Sequence, residues 1–215
     1  MMVRIGLAAG LVVLGVLLMG CGGSPPMEGV DATDVNAEQA PGDAPSNLMT
    51  LRPVADTHVD SIAHTTNYGT ATELFIGTKN SRGRSLLRFK TVNIPTSATV
   101  DSAYLWLYVT WYEYQPDTYA VHRVTGTWTE MGATWDTAPT FGATPSVTKV
   151  IDASAVGHWV KINVKKLVQS WVTTPSRNFG CLVKGSEPGG NVAFKATSRE
   201  GVSSQRPRLV VNYTP

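Results

Sequence analysis

Val100-Asp101-Ser102-Ala103-Tyr104-Leu105-Trp106-Leu107-Tyr108-Val109-Thr110 decides the fold class. Side chains along a strand alternate between faces, so Ala103, Leu105, Leu107 and Val109 share one face. Tyr104, Trp106 and Tyr108 then occupy the other. The same two-residue period recurs in Leu86–Phe89 (after Arg82-Gly83-Arg84), Tyr119–Val124, His158–Val164, Phe179–Lys184 and Arg208–Tyr213. Turn signals stand between such runs at Asn67-Tyr68-Gly69, Asn93-Ile94-Pro95 and Pro188-Gly189-Gly190. Only Val164–Thr173, through Leu167, Val168 and Trp171, has helical spacing. With 20 Gly and 13 Pro in 215 residues, many short elements are favoured over long helices. The expected fold is all-β: an antiparallel β-sandwich of jelly-roll type forming a single domain over residues 48–215.

The residues before that domain read as an address and a tether. Arg4 precedes an apolar run from Ile5 to Gly20, too short to span a bilayer, which needs about 20 apolar residues. Its end, Leu18-Met19-Gly20-Cys21, has the form of a bacterial lipobox. Residues 1–20 are therefore expected to be a lipoprotein signal peptide and Cys21 the lipidated N-terminus of a membrane-anchored, exported protein. Residues 21–47 form an acidic linker with no aromatic, Lys or Arg, expected to be flexible because they bury little apolar surface.

Charge is unevenly placed. Of 18 bases and 16 acids, Arg4, Glu28, Asp31, Asp34, Glu38 and Asp43 precede residue 48, leaving 17 bases and 11 acids in the domain. A basic exported domain points to anionic partners: acidic polysaccharides, teichoic acids or lipid phosphates. An exported protein is not expected to meet nucleic acid.

Catalytic signatures do not assemble. His58, His64, His122 and His158 are scattered, without HExxH or CxxC spacing. No G-x-S-x-G elbow, phosphate loop or dinucleotide fingerprint is present, and no pair of carboxylates is nominated for glycoside hydrolysis. The protein is read as a non-enzyme. Cys181, alone once Cys21 carries lipid, is expected to be a small buried apolar residue. The one cofactor considered is structural calcium, held by Asp56, Asp60 and Asp101 with backbone carbonyls.

Aromatic and basic residues are the better guide. All six Trp and seven Tyr lie in the domain. Tyr104, Trp106 and Tyr108 offer rings on which a sugar face stacks, although strand aromatics ordinarily serve the core, so the stripe is expected to pack between the sheets. Trp128 and Trp135 are expected to anchor a loop at a sheet end. Arg84, Arg88, Lys184, Lys195 and Arg199 are the candidate carboxylate contacts, Arg being suited to them by its bidentate fork. Trp106 and Tyr108 are the candidate stacking rings.

The order of short motifs resembles the bacterial DNRLRE-type domain, related to carbohydrate-binding module family 96. The pieces are Ala55-Asp56-Thr57-His58-Val59, Asn67-Tyr68-Gly69, Ser85-Leu86-Leu87-Arg88-Phe89, Ala103–Tyr108, Gly126-Thr127-Trp128-Thr129-Glu130, Val168-Gln169-Ser170-Trp171, Ser198-Arg199-Glu200 and Pro207–Val211. Lys90 and Trp106 depart from the usual pattern, which often has Asp and a basic residue there. The resemblance implies a non-catalytic β-sandwich that binds carbohydrate, in its best-understood members alginate-like acidic polysaccharide. The alternative is a structural or adhesive surface module engaging protein or envelope components.

Overall fold

The two sheets of the domain meet along β5 (Thr99–Glu113), its longest strand. In the computed structural model, which describes residues 46–187 and 192–215, the first sheet is ordered β1 (Asn47–Leu51), β11 (Arg208–Thr214), β5, β8 (Trp159–Asn163). The C-terminal part of β5 opens the second sheet, followed by β10 (Val192–Thr197), β3 (Glu73–Lys79), β4 (Ser81–Phe89), β9 (Cys181–Lys184), β6 (Asp117–Arg123) and β7 (Val147–Ile151). β2 (Pro53–Asp60) pairs with β4. Every pairing of these strands is antiparallel, and the sheets curl into a half-barrel, as the all-β reading requires. The expected leader, Cys21, the linker up to residue 45 and the Pro188-Gly189-Gly190 turn lie outside the described residues.

The inward residues of β5 behave as alternation demands. Leu105, Leu107 and Val109 join Leu209, Val211, Val160 and Ile162 from the neighbouring strands in the main core. Lys195 and Ala196 of β10 face Trp111 and Val109 of β5, so Thr110 is an extra, bulged residue. The bulge lets Val109 point inward while Trp111 stays on the outer side. The one helix, α1 (Lys165–Thr173), sits where helical spacing was found and buries Leu167, Val168, Trp171 and Val172 in that core. Gln169 ties it to the start of β5, accepting from the Val100 amide and donating to the Ala98 carbonyl.

One expectation is corrected here. Tyr104, Trp106 and Tyr108 do not pack between the sheets; all three are half-buried on the outer face, and none belongs to either core cluster. The aliphatic side of β5, with β8 and β11, faces the core, where it meets α1 and Ile76, Leu87, Tyr119 and Phe194 of the second sheet, so the aromatic side of the strand turns outward.

The outer face of the second sheet is covered. Residues 125–146 fold across it, and Trp128, Ala133, Trp135 and Phe141 meet Ala55, Val59, Leu86 and Leu182 in a second apolar cluster. Trp128 donates its Nε1–H to the Phe179 carbonyl at 2.8 Å, so the expected anchoring role of Trp128 and Trp135 holds. β2 is consequently buried on both faces, with Ala55 to Val59 all buried and His58 alone reaching the edge of a cleft.

Candidate functional site

Three strands of the first sheet present one row of side chains outward. Register puts Arg208 of β11 and Lys161 of β8 on either side of Trp106 of β5. One position along, Tyr108 faces Trp159, and in the other direction Tyr104 faces Asn163. Trp159 meets Trp106 and Tyr108 edge to face, with centroids 6.4 and 5.4 Å apart. The Lys161 ammonium lies 3.8 Å from the Tyr104 ring centre, and the Arg208 guanidinium 4.2 Å from that of Trp159. Neither cation meets a carboxylate among the described residues. The rings thus position two charges that the protein itself does not neutralise.

The basic residues singled out from sequence lie elsewhere, and most are already paired. Arg84 and Lys184 face each other across β4 and β9 and share Glu187: Arg84 donates from Nε at 2.9 Å and Nη2 at 2.6 Å, Lys184 at 3.1 Å. Burial would raise the Glu187 carboxyl; the bonds from Arg84 and Lys184 outweigh it and hold it below the usual range. Arg84 also lies over Trp135 at 4.3 Å. Arg88 donates to the Trp128 carbonyl and lies over its ring, under the covering loop. Lys195 pairs with Glu73 at 3.1 Å and Arg199 with Glu130 at 2.6 Å. These five residues therefore do not line a common groove with Trp106 and Tyr108.

Lys195 instead borders a cleft of about 480 Å³, lined also by His58, Tyr68, Glu73, Phe75 and Ser81. Tyr68 stacks on His58 with centroids 4.1 Å apart. Burial drops the His58 imidazole to about 4, so it is neutral at physiological pH. Gly83 is required beneath the floor, because a Cβ there would stand 2.2 Å from the Phe75 ring.

The carboxylates proposed for calcium are dispersed. Asp60 accepts from Ser81 Oγ and the Ile62 amide, and Asp101 accepts from Thr214 Oγ1. Asp56 has different companions. Oxygens of Asp56, Glu130 and Glu200 lie within 4.8 Å of one another. The Asp56 amide donates to Glu130 Oε1 at 2.8 Å, and the Arg199 amide donates to Asp56 Oδ2 at 2.9 Å. Burial, opposed by the Arg199 amide and assisted by the charges of Glu200 and Glu130, pushes the Asp56 carboxyl up to about 8.

The family model for carbohydrate-binding module family 96 matches residues 47–213. The chain belongs to carbohydrate-binding module family 96. The match runs from the first residue of β1 into β11, so the family 96 fold includes the outward row, the cleft and the carboxylate cluster alike. No curated protein matches the sequence significantly.

Lys161, Arg208 and Trp159, which join Trp106 in this outward row of the family 96 module, were not among the residues singled out from sequence. Alternation alone puts Trp159 with Lys161, and Arg208 with Val210, each opposite apolar partners. What sequence lacks is the register that brings both faces beside Trp106. Glu130 and Glu200 were missed as companions of Asp56 because 74 residues or more separate them from it, a distance closed only by the loop over β2 and the turn after β10.

Proposed function

We propose that this module binds acidic polysaccharide on the outer face of β5, β8 and β11. The Arg208–Trp106–Lys161 row carries the reading. Neighbouring strands lie about 4.8 Å apart, so the strands that carry the two cations stand roughly 10 Å apart across the sheet, with Trp106 between them. That is the scale on which an extended polyuronate chain repeats its carboxylates every second sugar. Trp106, Tyr108, Trp159 and Tyr104 supply apolar edges and faces for the sugar carbons between them. Neutral polysaccharide would leave both charges unanswered. The module is read as non-catalytic, in keeping with its family.

A second station is supported by the cleft beside Lys195, where Tyr68 and Phe75 offer rings and Ser81 a hydroxyl. Affinity electrophoresis through gels containing polyuronate, a neutral glucan or no polymer separates the two. Arg208→Ala and Lys161→Ala should each reduce retardation by polyuronate, while Tyr68→Ala and Lys195→Ala should not. The reverse pattern would place binding in the cleft. Retardation in none of the gels would favour a structural or adhesive module.

We further propose that lipid on Cys21 holds the module at the bacterial envelope. The basic start, apolar run and Leu18-Met19-Gly20-Cys21 ending support this. Cys21→Ser should release the protein from the membrane fraction and abolish labelling by a radioactive fatty acid. A membrane-bound C21S protein would refute the anchor.

A further inference from the structure

The cluster at Asp56 lies apart from the proposed sugar face and has a chemistry of its own. Asp56 is 1% exposed. Its Oδ2 takes the Arg199 amide, but Oδ1 is buried without a hydrogen-bond donor, and so is Oε2 of the neighbouring Glu200. Buried carboxylate oxygens ordinarily find donors, because an unanswered one costs roughly 1–3 kcal/mol or more. Three carboxylates converge here against one guanidinium: Arg199 donates to Glu130 Oε2 at 2.6 Å and stands 3.5 Å from Glu200 Oε1. When all are ionised, the group carries two uncompensated negative charges.

We propose that Asp56, Glu130 and Glu200 hold a divalent cation, best matched by calcium. Two oxygens bound to one calcium ion at about 2.4 Å are at most roughly 5 Å apart, and all three carboxylates meet that limit. The ligands are hard oxygens, with neither His nor Cys in the group, which favours calcium or magnesium over zinc. A divalent ion removes the excess charge and gives Asp56 Oδ1 and Glu200 Oε2 the partner they lack. The site is also built by its surroundings. Asn67 Nδ2 donates to the Glu130 and Ala133 carbonyls at 2.8 Å each, fixing the loop that carries Glu130. Ser198 Oγ donates to the Ala71 carbonyl at 2.6 Å and accepts from the Glu200 amide, fixing the turn that carries Glu200. The ion would join β2, the 125–146 loop and the turn after β10, three segments far apart in sequence. Its role is to clasp the fold, and it does not depend on where sugar binds.

Purified protein stripped with a chelator and titrated with calcium alone, without polymer (polyuronates bind calcium themselves), tests this. Calorimetry should show one calcium per chain, and 10 mM calcium should raise Tm by roughly 3–10 °C for a site of submillimolar affinity. Glu200→Gln should weaken calcium binding at least tenfold and abolish the rise in Tm. If E200Q does not fold, the titration of the unmodified protein decides alone. Absence of binding heat together with an unchanged Tm would overturn the proposal and leave a proton shared between Asp56 and Glu200. Undiminished calcium binding in folded E200Q and E130Q would overturn it equally.

Discussion

A cation on this domain matters for binding according to what already answers it. Arg84 and Lys184 share Glu187, Lys195 has Glu73 and Arg199 has Glu130, whereas Arg208 and Lys161 rest on rings alone. Losing a charged hydrogen bond costs about 1.5–3 kcal/mol when partly desolvated, and an exposed ion pair less than about 1. Half-buried Arg208 should therefore matter more than exposed Lys161: R208A should weaken polyuronate binding about tenfold and K161A two- to fivefold, read by titration calorimetry. Trp106 and Tyr108 were legible from alternation as ring candidates, but which side faced the core was not, because both faces of β5 are apolar.

His122 gives the pH dependence at the same scale. Burial, helped by the charges of Lys184 and Arg84 and opposed by the Gly142 carbonyl and Glu187, holds its imidazole below the ordinary value of 6.5. Below pH 6.5 the unfolded chain takes up a proton there that the folded chain resists. Stability is thus intact above pH 6.5 and lost as pH falls toward the folded value. His58, depressed to about 4, acts in the same direction. In thermal unfolding, the Tm difference between the unmodified protein and His122→Phe, which keeps a ring against Phe141, should shift in favour of the variant as pH falls from 7 to 5. An equal slope in both proteins would remove His122 from this account.

At the scale of elements, β4, β5, β6, β8, β9 and β11 were legible as strands, and β2 was not. β5, β8 and β11 alternate cleanly, and α1 showed its 3.6-residue period. β2 did not alternate because the 125–146 loop roofs its second face, and no local pattern announces a roof built 70 residues downstream. The roof hangs on Trp128, so Trp128→Ala should cost about 3–5 kcal/mol in denaturant unfolding and expose the loop to proteolysis. Trp128→Phe, losing mainly the bond to the Phe179 carbonyl, should cost nearer 1 kcal/mol beyond the volume change. Gly180 sets the entry to β9: its φ is +90°, and a Cβ would stand 2.3 Å from the Leu87 carbonyl oxygen. Gly180→Ala should consequently destabilise by more than the approximately 1 kcal/mol of an ordinary glycine replacement.

For the whole molecule, composition and the order of motifs carried the class: an antiparallel β-sandwich of family 96 with an excess of bases. The surplus of 17 bases over 11 acids after residue 47 says that an anionic partner is favoured, but net charge is silent about where the unneutralised part lies. Pairing of strands and of charges bears on that, and it moves the candidate site from the Arg84 neighbourhood in the second sheet to the outer face of the first. The most direct test of this account is titration of the protein with a polyuronate and with the same polymer after reduction of its carboxyl groups, each at low and high salt. The account predicts binding of the charged polymer only, weakened by salt and by R208A. Equal affinity for the reduced polymer, or binding indifferent to both salt and Arg208, would contradict it.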